Sequence, residues 1–131
     1  MISTEELLNN HGVKPTPQRV VIADFVLSTH EHPTAEDVLK GVAGQLPVTI
    51  SRATVYNTLN TLVAAGVIRE VFTEPGACRY DANVSKHHHF VDTRTGRIFD
   101  IPWDEVPQLP RSLKGRFKVH GYEITFFGEA T

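Results

Sequence analysis

Three consecutive histidines, His87-His88-His89, follow Lys86 and precede Phe90-Val91-Asp92. The run predicts a strand over 87–92, in which successive side chains point to opposite faces. His87 and His89 then share one face and His88 takes the other. Two imidazoles two residues apart on a strand can chelate one metal ion. A turn, Thr93-Arg94-Thr95-Gly96, leads into a returning strand, Arg97 to Ile101, on which Asp100 can face the His87/His89 side. Asp81, six residues before His87, and His32, far upstream in a loop, are further candidates on spacing alone. Imidazoles and carboxylates from several segments suit Fe2+, Mn2+ or Zn2+. Three nitrogens and two carboxylates exceed the four ligands of a closed structural zinc site. They point to five- or six-coordinate Fe2+ or Mn2+, for which Zn2+ can substitute. The bland alternative is a solvated, polar strand edge that holds no ion.

The elements that must position these residues belong to a chain of 131 residues, enough for one ordinary domain or two very small ones. A hydrophobic content of 40% and a charged content of 21% read as soluble and globular. The formal charge of −2 gives no overall basic bias toward nucleic acid. No apolar run approaches the ~20 residues that span a bilayer, and Met1 to Glu6 lack the basic start of a signal peptide. A single cysteine, Cys78, excludes an internal disulfide and any multi-cysteine zinc site. A cytoplasmic location and no membrane partner are the default expectations.

The first half reads as helices followed by a hairpin. Ser3 with Glu6 forms a capping box for a short helix toward Gly12. Thr16 followed by Pro17 opens a second helix, ended by His30 to Pro33. Thr34 with Asp37 opens a third, ended around Gly41 to Pro47. Ser51 caps a fourth, Arg52 to about Ala65, stopped by Gly66. In that helix Val55, Leu59, Leu62 and Val63 form one buried face. Ala53, Asn57, Asn60 and Ala64 lie opposite, with Tyr56 on the flank, a surface suited to base edges and thymine methyls in a major groove. The ordinary alternative is a solvated face. Val67 to Thr73, a glycine-bearing turn over 74–77 and Cys78 to Asp81 make a hairpin. Helices followed by a hairpin are the order of a winged helix–turn–helix domain, with the fourth helix as reader. Residues 1–82 carry six Lys/Arg against nine Asp/Glu, a net of −3, so DNA binding needs the few cations to cluster. Lys14, Arg19 and Arg52 lie at helix starts, where backbone N–H groups also favour phosphate.

The second half reads as a small sheet. Asn83 to Ser85 is a hinge between a DNA-binding domain, 1–82, and a dimerisation and metal-sensing domain, 86–131. Three prolines in 102–110 leave room only for a short helix, Leu109 to Arg116. A last strand, Lys118 to Gly128, alternates Tyr122, Ile124 and Phe126 against Glu123 and Thr125. About 45 residues around one sheet bury little alone, so an obligate homodimer through this half is expected. The fold class is therefore α+β: an N-terminal winged helix–turn–helix domain plus a small C-terminal α/β dimerisation domain.

Over nearly its whole length the chain resembles the ferric uptake regulator family. The matching text is Thr16-Pro17-Gln18-Arg19, His32 to Val38, Ser51 to Leu59, Arg79-Tyr80-Asp81 and His87 to Phe90. The resemblance implies a dimeric, metal-dependent transcription factor that binds double-stranded DNA with a palindromic operator. It carries regulatory metal ligands onto His32, Asp81, His87, His89 and Asp100, and DNA contacts onto Tyr56, Lys14 and Arg19. Many relatives have Arg after that tyrosine; here it is Asn57, so base preference can differ. Asp at both 81 and 100 resembles the peroxide-sensing repressors, in which bound Fe2+ reduces peroxide and a ligating histidine, His32 or His87, is oxidised. Many relatives also hold a structural zinc with two CxxC pairs. The first pair falls on Asp92 and Thr95 and residues 128–131 offer no second, so no structural zinc is expected. The family's heme-responsive iron regulators lack it too and carry a triple-His run, which keeps iron or heme regulation as an alternative. A second metal site could use His88 with Glu105 or His120; otherwise His88 is a surface residue or a support for the ligands. Two further readings remain: a metal-dependent hydrolase, which needs an open coordination position and a base that the sequence does not offer, and a constitutive DNA-binding protein. Cys78 is read as a small buried residue.

Overall fold

The structure, a computed structural model, describes residues 2–29, 31–46, 49–74, 77–106 and 110–131. The chain divides into two compact units, Met1–Val84 and Ser85–Thr131.

The first unit is set by four helix starts. Ser3, Thr16, Thr34 and Ser51 each sit extended before a helix and accept a hydrogen bond from the backbone N–H three residues on, each cap contributing about 1 kcal/mol. The helices are α1 (Thr4–Asn10), α2 (Pro17–Ser28), α3 (Ala35–Val42) and α4 (Arg52–Ala64). Only α3 has the full reciprocal box, with the Asp37 carboxylate accepting from Thr34 N–H. At α1 the expected box is half made: Glu6 meets the Ser3 hydroxyl instead of the Ser3 backbone. Leu8, Ile22, Val26, Val38, Val42, Val55, Leu59 and Leu62 are at most 1% exposed and form one apolar core, each such side chain contributing about 1.5–3 kcal/mol. On α4 the expected inward face holds except at Val63, which is half-buried while Thr58 takes a buried place.

Gly66, at φ +80°, ends α4 by taking the left-handed conformation that only glycine adopts without strain. An antiparallel hairpin follows, β1 (Arg69–Glu74) and β2 (Ala77–Asp81), paired from Arg69 opposite Asp81 to Glu74 opposite Ala77. Val67 and Ile68 are buried below the hairpin but precede the ladder, so the first strand starts two residues later than expected. The centre of the expected turn, 75–76, lies outside the described residues. Helices α2 to α4 with this hairpin make a winged helix–turn–helix.

The second unit is a three-stranded sheet in the order β4-β3-β5: β3 is His87–Asp92, β4 is Ile98–Pro102 and β5 is Thr125–Gly128. β3 pairs antiparallel with β4, His89 opposite Asp100, and parallel with β5, His89 opposite Thr125. Two expectations fail here. Residues 118–124 form no ladder with β3, so the last strand is four residues long instead of eleven. No α-helix covers the described part of 109–116; a 3₁₀ turn, Arg111–Leu113, stands after Pro110. The core of this unit is small, with Val91 and Ile98 buried while Phe117, Val119, Phe126 and Phe127 stay exposed.

Candidate metal centre and nucleic-acid interface

In the second unit the strand register does what the alternation predicts. Opposite residues on paired strands share a face, so His89 and Asp100 meet, with His87 two residues along. Asp100 Oδ1 lies 3.5 Å from both His87 Nε2 and His89 Nε2, and the two rings are 4.6 Å apart, edge to face. Both histidines are 4% exposed or less. His87 Nδ1 lies 2.6 Å from the Ser85 carbonyl oxygen, and His89 Nδ1 lies 2.8 Å from Glu123 Oε1. These acceptors make Nδ1 the donor nitrogen; in a neutral imidazole that leaves the lone pair on Nε2, the nitrogen that faces Asp100.

In the first unit His32 and Asp81 form a second imidazole–carboxylate pair, Nε2 to Oδ2 3.3 Å, both at most 7% exposed. Among the described residues His32 alone, glycines aside, has a positive φ, +52°. Such strain persists only where the surroundings hold it. Here the Arg79 guanidinium donates to His32 O at 3.2 Å, and Tyr80 N–H donates to Pro33 O at 2.9 Å. Asp81 is fixed in turn, its Oδ1 accepting from Asn83 N–H at 2.9 Å. Each unit thus contributes a nitrogen-and-carboxylate donor set of the chemistry that suits Fe2+, Mn2+ or Zn2+, its imidazoles buried in both units and its carboxylate buried only at Asp81.

His88 lies on the other face of β3, but not on a surface. It is fully buried, stacked on Trp103 with ring centres 4.6 Å apart, and 5.8 Å from the Tyr122 ring. Its Nδ1 accepts from Ile124 N–H at 3.0 Å, which takes the nitrogen a metal would need. Glu105 and His120 are exposed, and the described residues include no ligand group of His88 with either. The second metal site is therefore not assembled. Sequence reasoning also missed Glu123. Its signal was a lone carboxylate on the Thr125 side of the alternating run, the side that the parallel register places beside the histidines.

On α4 the outward residues Ala53, Asn57, Asn60 and Ala64 are exposed, and Tyr56 is 41% exposed. A cleft of about 380 Å³ joins this face to the start of α2, bringing Asn57 and Thr54 together with Lys14 and Arg19. The Arg19 guanidinium donates to Lys14 O at 3.2 Å, holding the two cations side by side. Arg52 stands at the first position of α4, as expected, and is ion-paired with Glu36 on the surface. Such an exposed pair contributes under about 1 kcal/mol, little against release to a phosphate.

The fold and these two surfaces define a winged-helix DNA-binding regulator with a sheet domain rich in metal-binding side chains. The model of the ferric uptake regulator family matches residues 10–127, and the chain belongs to that family, whose members are transcriptional regulators that bind DNA and function as dimers. It is 35% identical over 126 residues to the peroxide operon regulator of Bacillus subtilis (strain 168), covering 94% of this chain and 86% of that one. Among solved structures it is similar to a zinc-bound manganese uptake regulator (TM-score 0.77, 26% identity, 99% of this chain and 100% of the other). It is also similar to the Campylobacter jejuni peroxide stress regulator (TM-score 0.70, 28% identity, 96% and 95%). No helix among the described residues is long and apolar enough to cross a membrane.

Proposed function

We propose that the protein is a metal-gated, peroxide-responsive repressor in which His32 and Asp81 from one unit and His87, His89 and Asp100 from the other hold a single Fe2+ or Mn2+ ion. The observation that carries this reading is the pair of imidazole–carboxylate sets, 3.3 Å apart and buried in one unit, 3.5 Å apart in the other with both imidazoles buried and Asp100 36% exposed. A carboxylate as buried as that of Asp81 needs a counter-charge. A divalent cation supplies one for two carboxylates and uses the neutral imidazoles as donors.

The residues then divide the work. His32 is held in a strained conformation that aims its imidazole at Asp81. His87 and His89 are pinned in the tautomer that offers Nε2. An ion shared by both sets ties the two units together and selects the domain arrangement in which a dimer presents two α4 helices to a palindromic operator. Without it, only a fraction of molecules is competent, and apparent affinity falls by that fraction. His32 and His87 would be the imidazoles beside an Fe2+ ion held there, which would supply electron transfer to peroxide; in the net reaction one peroxide oxygen bonds an imidazole carbon, the displaced hydrogen moves to ring nitrogen and the other oxygen leaves as water. Losing a donor loosens the clamp and releases DNA from the cytoplasmic repressor. Lys14, Arg19 and Arg52 serve phosphates, and Tyr56 and Asn57 serve base edges. The exposed Phe126 and Phe127 on edge strand β5 are the surface through which the dimer forms.

The likeness to a manganese uptake regulator supports a second reading, control by metal supply, with iron or heme as the related stimuli. Operator binding measured with and without Fe2+ or Mn2+ tests the gate; equal affinity rejects it. Treating the iron form with peroxide separates the stimuli: release of DNA, with oxygen added at His32 or His87 by mass spectrometry, supports the peroxide reading, and intact binding favours metal supply.

A further inference from the structure

Each of the three adjacent histidines is held through Nδ1, by a different kind of partner. His87 meets the Ser85 carbonyl, His88 the Ile124 N–H, and His89 the Glu123 carboxylate at 2.8 Å. The last partner is charged. Glu123 does not arrive there by a flexible reach. Ile124 accepts from His89 N–H through its carbonyl and donates to His88 Nδ1 through its amide, both at 3.0 Å. The residue before it is therefore fixed against β3 by backbone bonds. Nδ1 and Nε2 point away from one another across the imidazole. Glu123 thus meets the ring at Nδ1, and Asp100 faces Nε2.

We propose that Glu123 is a positioning residue of the metal centre. It holds His89 as the Nδ1–H tautomer with Nε2 turned to the ion, and its charge strengthens that imidazole as a donor. The inference rests on the metal-centre reading above.

The test combines nitrogen NMR of His89 in the metal-free full chain with Mn2+ titration against a competing fluorescent chelator, for wild type, E123Q and E123A. In wild type His89 carries its proton on Nδ1; in E123A the two tautomers mix, and Mn2+ binding weakens about 10- to 100-fold. E123Q, whose amide oxygen accepts the same bond without the charge, keeps the tautomer and binds with an affinity between those of wild type and E123A. Wild-type affinity in E123A, or an Nε2–H tautomer in wild type, overturns the proposal. So does an E123Q as weak as E123A, which marks Glu123 as a direct ligand. H89A and D100A are titrated alongside. If they abolish binding while E123A leaves it intact, only the role of Glu123 fails; if they too leave it intact, the metal-centre reading fails with it. Should E123A not fold, the wild-type tautomer and E123Q decide.

Discussion

At the scale of single residues, the reading face of α4 and the thiol of Cys78 make contrasting predictions. Asn57 lies exposed beside Lys14 and Arg19, and an amide can bond an adenine edge with two hydrogen bonds, about 1–3 kcal/mol of discrimination at one base pair. Asn57→Ala should therefore flatten preference at one operator position, measured against single-base operator variants. Lys14→Ala should weaken binding to all of them alike and reduce the slope of log affinity against log salt by about one. Cys78 behaves oppositely to a redox thiol. Burial raises its pKa, and the Glu70 carboxylate 3.4 Å away raises it further. Less thiolate is present at a given pH, so alkylation by iodoacetamide at pH 8 should be slower than for free cysteine. A Cys78→Ala protein should keep its peroxide response; loss of response would make the thiol the sensor. The His87/His89/Asp100 grouping was legible because strand alternation and a short turn fix it locally. Glu123 was not, since its place depends on the parallel partner chosen by a strand more than thirty residues away.

At the scale of elements, the end of β3 is tied to its turn and to the C-terminal residues through one side chain. Asp92, at the position of the missing first cysteine, accepts from Arg94 N–H at 2.9 Å and Thr95 N–H at 3.2 Å through one oxygen. Its other oxygen accepts from Ala130 N–H at 3.4 Å. Thr93 N–H adds a bond to Gly128 O at 2.8 Å. Strand end, turn and C-terminal residues are thus joined by one carboxylate. Burial pulls the Asp92 pKa up, but the N–H donors of Thr95, Arg94 and Ala130 outweigh it and hold the pKa below the ordinary carboxylate value. A depressed folded-state pKa stabilises above the unfolded value, about 3.9, and the contribution is lost as pH falls through the folded value. Asp92→Asn should therefore lower the melting temperature at pH 7, and the gap to wild type should shrink below about pH 4. A gap that stays constant across that range would remove the carboxylate's charge from the account. In the first unit Gly41 on α3 faces Phe25, whose ring atoms would stand 2.0–2.7 Å from an added Cβ. Despite alanine's better helix propensity, Gly41→Ala should destabilise by about 1–3 kcal/mol through overpacking, seen in denaturant titration. The helix starts were legible because each rests on a hydroxyl bonding an amide three residues on. The last strand was misjudged because alternation over 118–128 says nothing of where a partner strand ends. The helix expected over 109–116 gave way to a 3₁₀ turn, for which a proline at the start of three residues suffices.

At the scale of the whole molecule, the proposal is that one ion makes two units act as one. Of the five proposed ligands, one unit supplies an imidazole and a carboxylate and the other two imidazoles and a carboxylate. Gating follows from that division, because the ion's affinity includes the free energy of bringing the units into register, and DNA that prefers the same arrangement must raise metal affinity by the same factor as metal raises DNA affinity. Removing His32 should therefore act on gating without touching the sheet. His32→Ala also replaces a residue at φ +52°, and alanine is no better suited to that conformation, so relief of strain does not mask the loss. Expected are an intact dimer, a residual weak Mn2+ site in the sheet unit, and operator affinity that no longer rises with Mn2+. Peroxide should reproduce this state in wild type only when the bound ion can deliver an electron: the Fe2+ form should lose operator binding on brief exposure, and the Mn2+ form should keep it. Fluorescence anisotropy of labelled operator follows both proteins under identical conditions. Equal loss in the two forms would place the oxidation away from the metal centre, and equal resistance would leave metal supply, not peroxide, as the signal that the clamp reads.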